Sequence, residues 1–333
     1  MGSILVTGGA GYIGSHTVQV LLERGAQVVV LDSLVTGHRE AVPSEVPFYQ
    51  GDIYDAGLVR DIVRSHGVEA VIHFAARSLV GESMTKPDLY FYENMAKTNL
   101  LVSNLLQLGV NKIVFSSTAA VYGLPEMVPI PEESPTNPIN PYGLSKLMIE
   151  ASFHWLEKAY GLKWVALRYF NAAGASLDGS IGEEHLPETH LIPLVLKAAL
   201  GQRDAIQVFG TDYKTLDGTC IRDYIHVLDL AEAHISALKA LDQQIDSGIF
   251  NVGTGQGYSV RQVIESAKKI TGIDIPVVEA ARRSGDPDVL IAKVDKIEKT
   301  FGLKARYSDL ETIISSAWKW HKNNPDGYKR LGS

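Results

Sequence analysis

Tyr142 and Lys146 stand four residues apart in the stretch NPYGLSK, residues 140 to 146. On a helix that spacing puts a phenol and an ammonium on one face. The chemistry such a pair offers is proton transfer. A phenol titrates near 10, and bringing it to about 7 takes roughly 4 kcal/mol of preference for the phenolate. One cation about 4 Å away, at an effective dielectric of about 20, supplies about 4 kcal/mol before desolvation is subtracted. A phenol tuned in this way serves as base and acid near neutral pH. The pair alone carries little weight, because 14 Tyr and 18 Lys in 333 residues give roughly one such spacing by chance.

Its weight comes from what accompanies it. FSSTAAVYG places hydroxyls at Ser117 and Thr118 at the end of a strand pattern, where open α/β sheets bind ligands. Near the start of the chain, TGGAGYIG carries Gly8, Gly11 and Gly14 at every third position, and Gly9, Gly11 and Gly14 also satisfy G-x-G-x-x-G. Glycines let the backbone turn tightly and approach a pyrophosphate, and the helix start behind them offers free N–H groups. This motif follows a strand pattern, opens a helical one, and is followed by Asp32, 18 residues past Gly14. An acid at that point accepts hydrogen bonds from ribose hydroxyls and repels a 2′-phosphate, which favours NAD over NADP. Asp52 in GDI is placed to reach the adenine edge, with Ile53 against the ring, although capping of the next helix explains Asp52 nearly as well. HFAA ends another strand pattern, and its small residues permit close approach of backbone to cofactor or simply pack. A hydroxyl, a phenol and an ammonium beside a dinucleotide make a hydride-transfer site.

The elements that must position these groups are written as short β-branched runs: SILVT at 3, QVVVL at 27, AVIHF at 70, KIVFSS at 112 and KWVALRYF at 163. They alternate with helical patterns over 12–23, 56–65, 89–108 and 142–160. Alternation of this kind predicts an α/β fold, a Rossmann-type doubly wound parallel sheet with a smaller C-terminal α/β substrate lobe. The dinucleotide domain is expected over 1–171, completed by parts of 223–255, and the substrate lobe over 172–333, where the texture turns to Gly- and Pro-containing loops.

Composition narrows the function. A net charge of −7 with 45% hydrophobic residues describes a globular protein with no broad basic footprint for nucleic acid or an anionic membrane. Anionic ligands must then be held by a few local cations. The single Cys220 excludes an internal disulfide framework and reads as a small buried hydrophobe. No apolar run approaches the length of a membrane span and no leader pattern precedes the first strand, so a cytoplasmic location is expected. Ten histidines include no H-E-x-x-H or Cys/His cluster, so no metal centre is expected.

Over almost its whole length the sequence resembles the extended short-chain dehydrogenase/reductases, and within them the UDP-sugar 4-epimerases. The carriers are TGGAGYIGSHT, HFAA, VGES, FSSTAAVYG, PYGLSKLMIE, LRYFNAAGA, DGTCIRDYIHV and RRSGDPD, in that order. The resemblance implies an enzyme that interconverts UDP-glucose and UDP-galactose. Tyr142 takes the proton of the sugar 4′-hydroxyl while C4′ passes hydride to tightly held NAD, and the 4-keto intermediate turns over and regains hydride on its other face. Lys146 holds the nicotinamide ribose and lowers the phenol, and Thr118, where serine is commoner, hydrogen-bonds the 4′-oxygen. The cofactor-binding set it implies is Gly8, Gly11, Tyr12, Ile13, Gly14, Asp32, Asp52, Ile53, Phe74, Ala75, Ala76, Asn94, Ser116, Tyr142, Lys146 and Tyr169. For the UDP-sugar it implies Ser78, Thr118, Tyr142, Asn171, His190, Phe209, Arg222, Arg283, Asp286 and Leu290, with the arginines on the diphosphate and Asp286 on the uridine ribose. A homodimer formed through the 89–108 helix is also implied.

Three departures matter. His190 replaces the family's usual Asn, Lys97 stands near Asn94 where glycine is common, and Leu290 occupies a position where some relatives have tyrosine. The smaller leucine leads to an expectation that N-acetylated UDP-sugars are accepted. The nearest rival, a nucleotide-sugar 4,6-dehydratase, usually carries Asp and Glu directly after the threonine. Ala119 and Ala120 stand there instead. A non-catalytic NAD sensor on the same fold would have no use for Thr118, Tyr142 and Lys146 together.

Overall fold

The computed structural model describes residues 2–328 apart from Gln244 and Ser284. Six strands alternate with helices through the first half: β1 (Ser3–Thr7), β2 (Val28–Asp32), β3 (Phe48–Gln50), β4 (Val68–His73), β5 (Lys112–Thr118) and β6 (Lys163–Tyr169). With the late strand Gly248–Val252 they form one sheet in the order Gly248–Val252, β6, β5, β4, β1, β2, β3. Every pairing in it is parallel. The strand order reverses between β1 and β4, which is the topological switch of a doubly wound sheet.

Strands covered on both faces need continuous apolar runs, and β1 and β2 are buried at every residue. One face packs against the Tyr12–Glu23 and Val227–Asp242 helices, whose Val18, Leu21, Leu230, Ile235 and Leu238 share a core with Val6 and Val30. The other face packs Leu5, Val71 and Phe115 against Ile62, Leu101, Ile149 and Phe153. Residues 223–255 therefore return to the sheet with one helix and its last strand.

Two helices matter most for the site. Pro141–Tyr160 starts with Pro at its first turn and Asn140 accepting a hydrogen bond from the Gly143 N–H at 2.8 Å, and it ends at Gly161 with φ +72°. The stretch 87–107 is helical throughout, but Phe91–Ala96 takes π-turns. That local widening carries the fully buried Asn94.

The Asp295–Phe301 helix packs through Ile297 on the core of the large sheet, and a second core lies apart from it. The Leu191–Ala199, Val260–Thr271 and Leu310–Asn323 helices enclose this second core with Ile206, Val208 and Ile275. Small sheets hold Ile221–Arg222 between Tyr258–Ser259 and Val289–Leu290, and pair Ile206–Phe209 with Val277–Ala280. No helix among the described residues is long and apolar enough to cross a membrane.

Candidate active site

Parallel strands end on one edge, so the residues that close β1, β2, β4, β5 and β6 are neighbours however far apart they lie in sequence. Thr7 pairs with Leu31 and His73, and Thr118 pairs with Tyr169. Beyond Thr7 the chain makes its glycine turn. Gly8 has φ +71°, and a Cβ there would sit 2.5 Å from the Ala75 nitrogen. A Cβ on Gly14 would lie 2.2 Å from the Gly8 carbonyl oxygen. The Tyr12–Glu23 helix then starts at Gly11 with no capping side chain and no acid in its first turn. Its free N–H groups and the close backbone of Phe74, Ala75 and Ala76 fit the pyrophosphate of a dinucleotide.

Asp32 closes β2, buried, and its two oxygens accept backbone N–H groups from Leu34 at 2.8 Å and Ala10 at 2.9 Å. Burial pushes its carboxyl up, and the two backbone bonds oppose that rise. Each oxygen keeps a lone pair for a ribose hydroxyl. Asp52 behaves differently: it accepts the Tyr54 N–H at 2.9 Å and pairs with the Lys97 ammonium at 2.5 Å, while Ile53 beside it is buried. Lys97 also reaches Glu93 at 2.9 Å, so it is an electrostatic tether between the helix and the β3 turn. Asn94, from the π-turn, accepts from the Arg77 N–H at 2.8 Å and donates to the Arg77 carbonyl and Ser145 Oγ, both at 3.0 Å. Lys97 thus leaves Asn94 untouched, and Asn94 anchors the strand-end loop that runs from Phe74 to the exposed Ser78.

At the centre, Thr118, Tyr142 and Lys146 are all buried: Tyr142 shares a hydrogen bond with Thr118, and Lys146 stands one turn beyond Tyr142 on the same helix. Burial raises the Tyr142 phenol well above its usual value, Tyr169 adds to the rise, and a hydrogen bond with Thr118 opposes it. Lys146 donates to the Ser116 carbonyl at 2.8 Å and lies 4.8 Å above the Phe115 ring. Burial pulls its ammonium down to about 7, against the raising influence of Glu150. Desolvation is the largest influence on both groups, and the ammonium is tied to a carbonyl. Ser117 departs from expectation. Alternation along β5 turns its hydroxyl away from Thr118 to Glu150, at 2.5 Å, whereas Ser116 Oγ meets the Tyr169 hydroxyl at 2.9 Å.

Under this centre lies a network that nothing in the motif reading exposed. Glu150, one turn beyond Lys146, holds Arg168 through two hydrogen bonds of 3.0 and 2.6 Å. The Arg168 guanidinium covers the Tyr122 ring at 4.8 Å, and the Tyr122 hydroxyl donates to Asn251 at 2.7 Å. The available signal was a Glu four residues after the Lys and an Arg inside an apolar strand.

The smaller lobe brings its own group to the same edge. Asn171, just past β6, donates its side-chain amide to the Asp223 carbonyl at 3.0 Å, and Asp223 N–H donates to the Leu290 carbonyl at 3.0 Å. Leu290 pairs with Arg222 and packs beside Ala119, Val121 and Tyr122, the loop after Thr118. Arg222 forms an ion pair with Asp286, and the Arg283 guanidinium lies 4.1 Å over the Phe209 ring. The Asp286 N–H donates to the Arg283 carbonyl at 3.3 Å, which links the two pairs. His190 stands apart from them: its Nδ1 lies 2.9 Å from both Glu183 and Glu188. It is engaged with carboxylates rather than free for a phosphate.

Comparison with known proteins agrees with this geometry. A UDP-glucose 4-epimerase of Halalkalibacterium halodurans is 56% identical over 326 residues, 98% of this chain and 97% of the relative. A crystal structure of a UDP-glucose 4-epimerase matches with a TM-score of 0.97 at 48% identity, covering 98% of this chain and all of the other. The Bifidobacterium longum UDP-glucose 4-epimerase, solved with NAD+ and UDP, matches with a TM-score of 0.91 at 39% identity, over 98% of this chain and all of that one. The sequence model of the NAD dependent epimerase/dehydratase family matches residues 4–253, which span the glycine turn, the Tyr–Lys helix and the returning last strand, and this chain belongs to that family.

Proposed function

We propose that the chain is an NAD-dependent UDP-glucose 4-epimerase, which inverts C4 of UDP-sugars reversibly. The observation that carries this reading is the buried Tyr142 phenol hydrogen-bonded with Thr118, with Lys146 one turn along the same helix, at the sheet edge that also carries a glycine turn suited to a dinucleotide. The glycine turn and Asp32 would hold NAD, which would supply the hydride acceptor and donor for C4. Tyr142 takes the proton from the 4′-hydroxyl at its phenol oxygen and later gives it back, while Thr118 Oγ1 holds the sugar oxygen in line. Lys146, bonded to the Ser116 carbonyl in the free chain, would hold the nicotinamide ribose. Ala119 and Ala120 leave no acid or base beside Thr118 for elimination of water, which favours epimerisation over dehydration.

Arg222 and Arg283 take the diphosphate as bidentate guanidinium donors, and Asp286 exchanges its bond to Arg222 for a uridine ribose hydroxyl. Asn171 and Phe209 complete the nucleotide side. In this reading residues 1–171, completed by 223–255, carry NAD, and the remainder of 172–333 carries the UDP-sugar. The exposed Tyr92, Leu100 and Trp155 lie on the two neighbouring helices of the sheet's outer face and serve as a homodimer seam. The experiment for the reaction is incubation of purified protein with UDP-galactose without added NAD. UDP-glucose as product supports the reading and carried cofactor together. A dead-end 4-keto-6-deoxy product would instead identify a dehydratase.

A further inference from the structure

Residues 183–190 read EEHLPETH, and the chain folds so that Glu183, His185, Glu188 and His190 point into one spot with their ligand atoms all within 4.8 Å of one another. We propose that these four side chains hold one divalent transition-metal ion of the zinc class in a closed, structural site.

Geometry carries the proposal. A tetrahedral ion with bonds of about 2.0–2.1 Å sets its ligand atoms about 3.3 Å apart. His185 Nδ1 lies 3.2 Å from Glu183 Oε1 and 3.6 Å from Glu188 Oε2, and His190 Nδ1 lies 2.9 Å from Glu183 Oε1. Those three spacings bracket the tetrahedral value, and the group as a whole lies within 4.8 Å, so its wider pairs must close on an ion at the centre. The glutamates are unusual in being sealed from water, their side chains 5% and 3% exposed. Glu188 Oε1 is occupied by the backbone N–H groups of Thr189 at 2.7 Å and His190 at 2.8 Å. Its other oxygen, Oε2, and His185 Nδ1 are buried and make no well-formed hydrogen bond, only ion-pair contacts with each other at 3.6 Å and of His185 with Glu183 at 3.2 Å. Both atoms belong to this cluster. A single N–H on His190 Nδ1 cannot serve two carboxylates at 2.9 Å equally.

Charge and donor type select the ion. Two carboxylates and two neutral imidazoles around a dication sum to zero, which suits a site whose glutamates are buried and whose His190 is half exposed at its mouth. Two nitrogens with two oxygens suit Zn2+ better than Ca2+ or Mg2+, which prefer six or more oxygens. Four protein ligands leave no open position, so the ion's role is to hold structure. It pins the loop before the Leu191–Ala199 helix, whose His185 stands edge-on to the Tyr12 ring of the cofactor helix at 6.3 Å.

The test uses the full chain, freed of metal with a chelator and then titrated with Zn2+ against a chromophoric competitor, with thermal melts before and after. The expected result is about one Zn2+ per chain, a higher Tm with the ion bound, and more than tenfold weaker binding in His185→Gln and Glu188→Gln. Unchanged Zn2+ affinity in both variants would overturn the proposal, as would a wild-type chain that takes up no Zn2+ at micromolar concentration and melts alike with and without it. If the variants do not fold, Co2+ on the wild type decides: intense visible bands of tetrahedral cobalt support the site, and the pale spectrum of hydrated cobalt refutes it.

Discussion

A buried lysine tied to a carbonyl oxygen is a costly residue, and at Lys146 the cost has a sign that can be measured. Its ammonium is lowered from 10.5 to about 7, chiefly by burial. The folded chain therefore binds fewer protons than the unfolded chain between these values, and stability rises with pH across that window. Below pH 7 both states are charged and the penalty is fully present, with a ceiling of order 5 kcal/mol. Lys146→Met is accordingly expected to raise the Tm of the ligand-free protein at pH 7, with the advantage shrinking toward pH 10, while activity is lost. Equal melting differences at both pH values would contradict the assignment. Leu290 sits beside the loop after Thr118, so Leu290→Tyr should cut turnover of UDP-N-acetylglucosamine at least tenfold more than turnover of UDP-glucose. An unchanged ratio between the two substrates would remove Leu290 as the selector. The Tyr142–Lys146 pair was legible because a four-residue spacing survives translation into a helix. What Lys146 touches was not legible, since the Ser116 carbonyl belongs to every residue type alike.

Among the elements, the glycine turn and the buried ion pair behave differently under substitution. Gly14→Ala would bring a Cβ to 2.2 Å from the Gly8 carbonyl oxygen and 2.9 Å from Gly9 Cα, both backbone atoms that cannot swing away. The expected outcome is loss of retained NAD by at least tenfold with the fold preserved, read from the absorbance of the purified protein and its circular dichroism. Glu150→Gln acts on stability instead. It leaves Arg168, 3% exposed, without its carboxylate, at a cost of about 3 kcal/mol or more in denaturant unfolding. The sequence patterns located β1, β2, β4, β5, β6 and the helices between them because apolar runs and helical stripes differ in period. They were weaker for the three-residue β3 and for Gly248–Val252, whose glycine and asparagine dilute the strand signal. The π-turn at Phe91–Ala96 was invisible, because one widened turn does not disturb a helical stripe.

Across the whole molecule, the parallel sheet converts separate motifs into one site. Thr7, Asp32, His73, Thr118 and Tyr169 close five strands on a common edge, and the smaller lobe adds Arg222 and Leu290 to it. Order along the chain announced this convergence, since each motif ended a strand pattern. The Glu183–His190 cluster stayed hidden, because its spacing matches no familiar ligand motif and only the folded loop turns four side chains inward. The central claim is that the Tyr142 phenol moves the proton in a reversible epimerisation, and the most direct measurement is the rate of UDP-galactose conversion to UDP-glucose by the wild type and by Tyr142→Phe. The phenyl ring keeps the packing and removes only the hydroxyl, and general acid–base groups contribute roughly 100-fold or more. A folded, NAD-retaining variant slowed at least 100-fold is the predicted result, and one that epimerises at the wild-type rate would contradict the account.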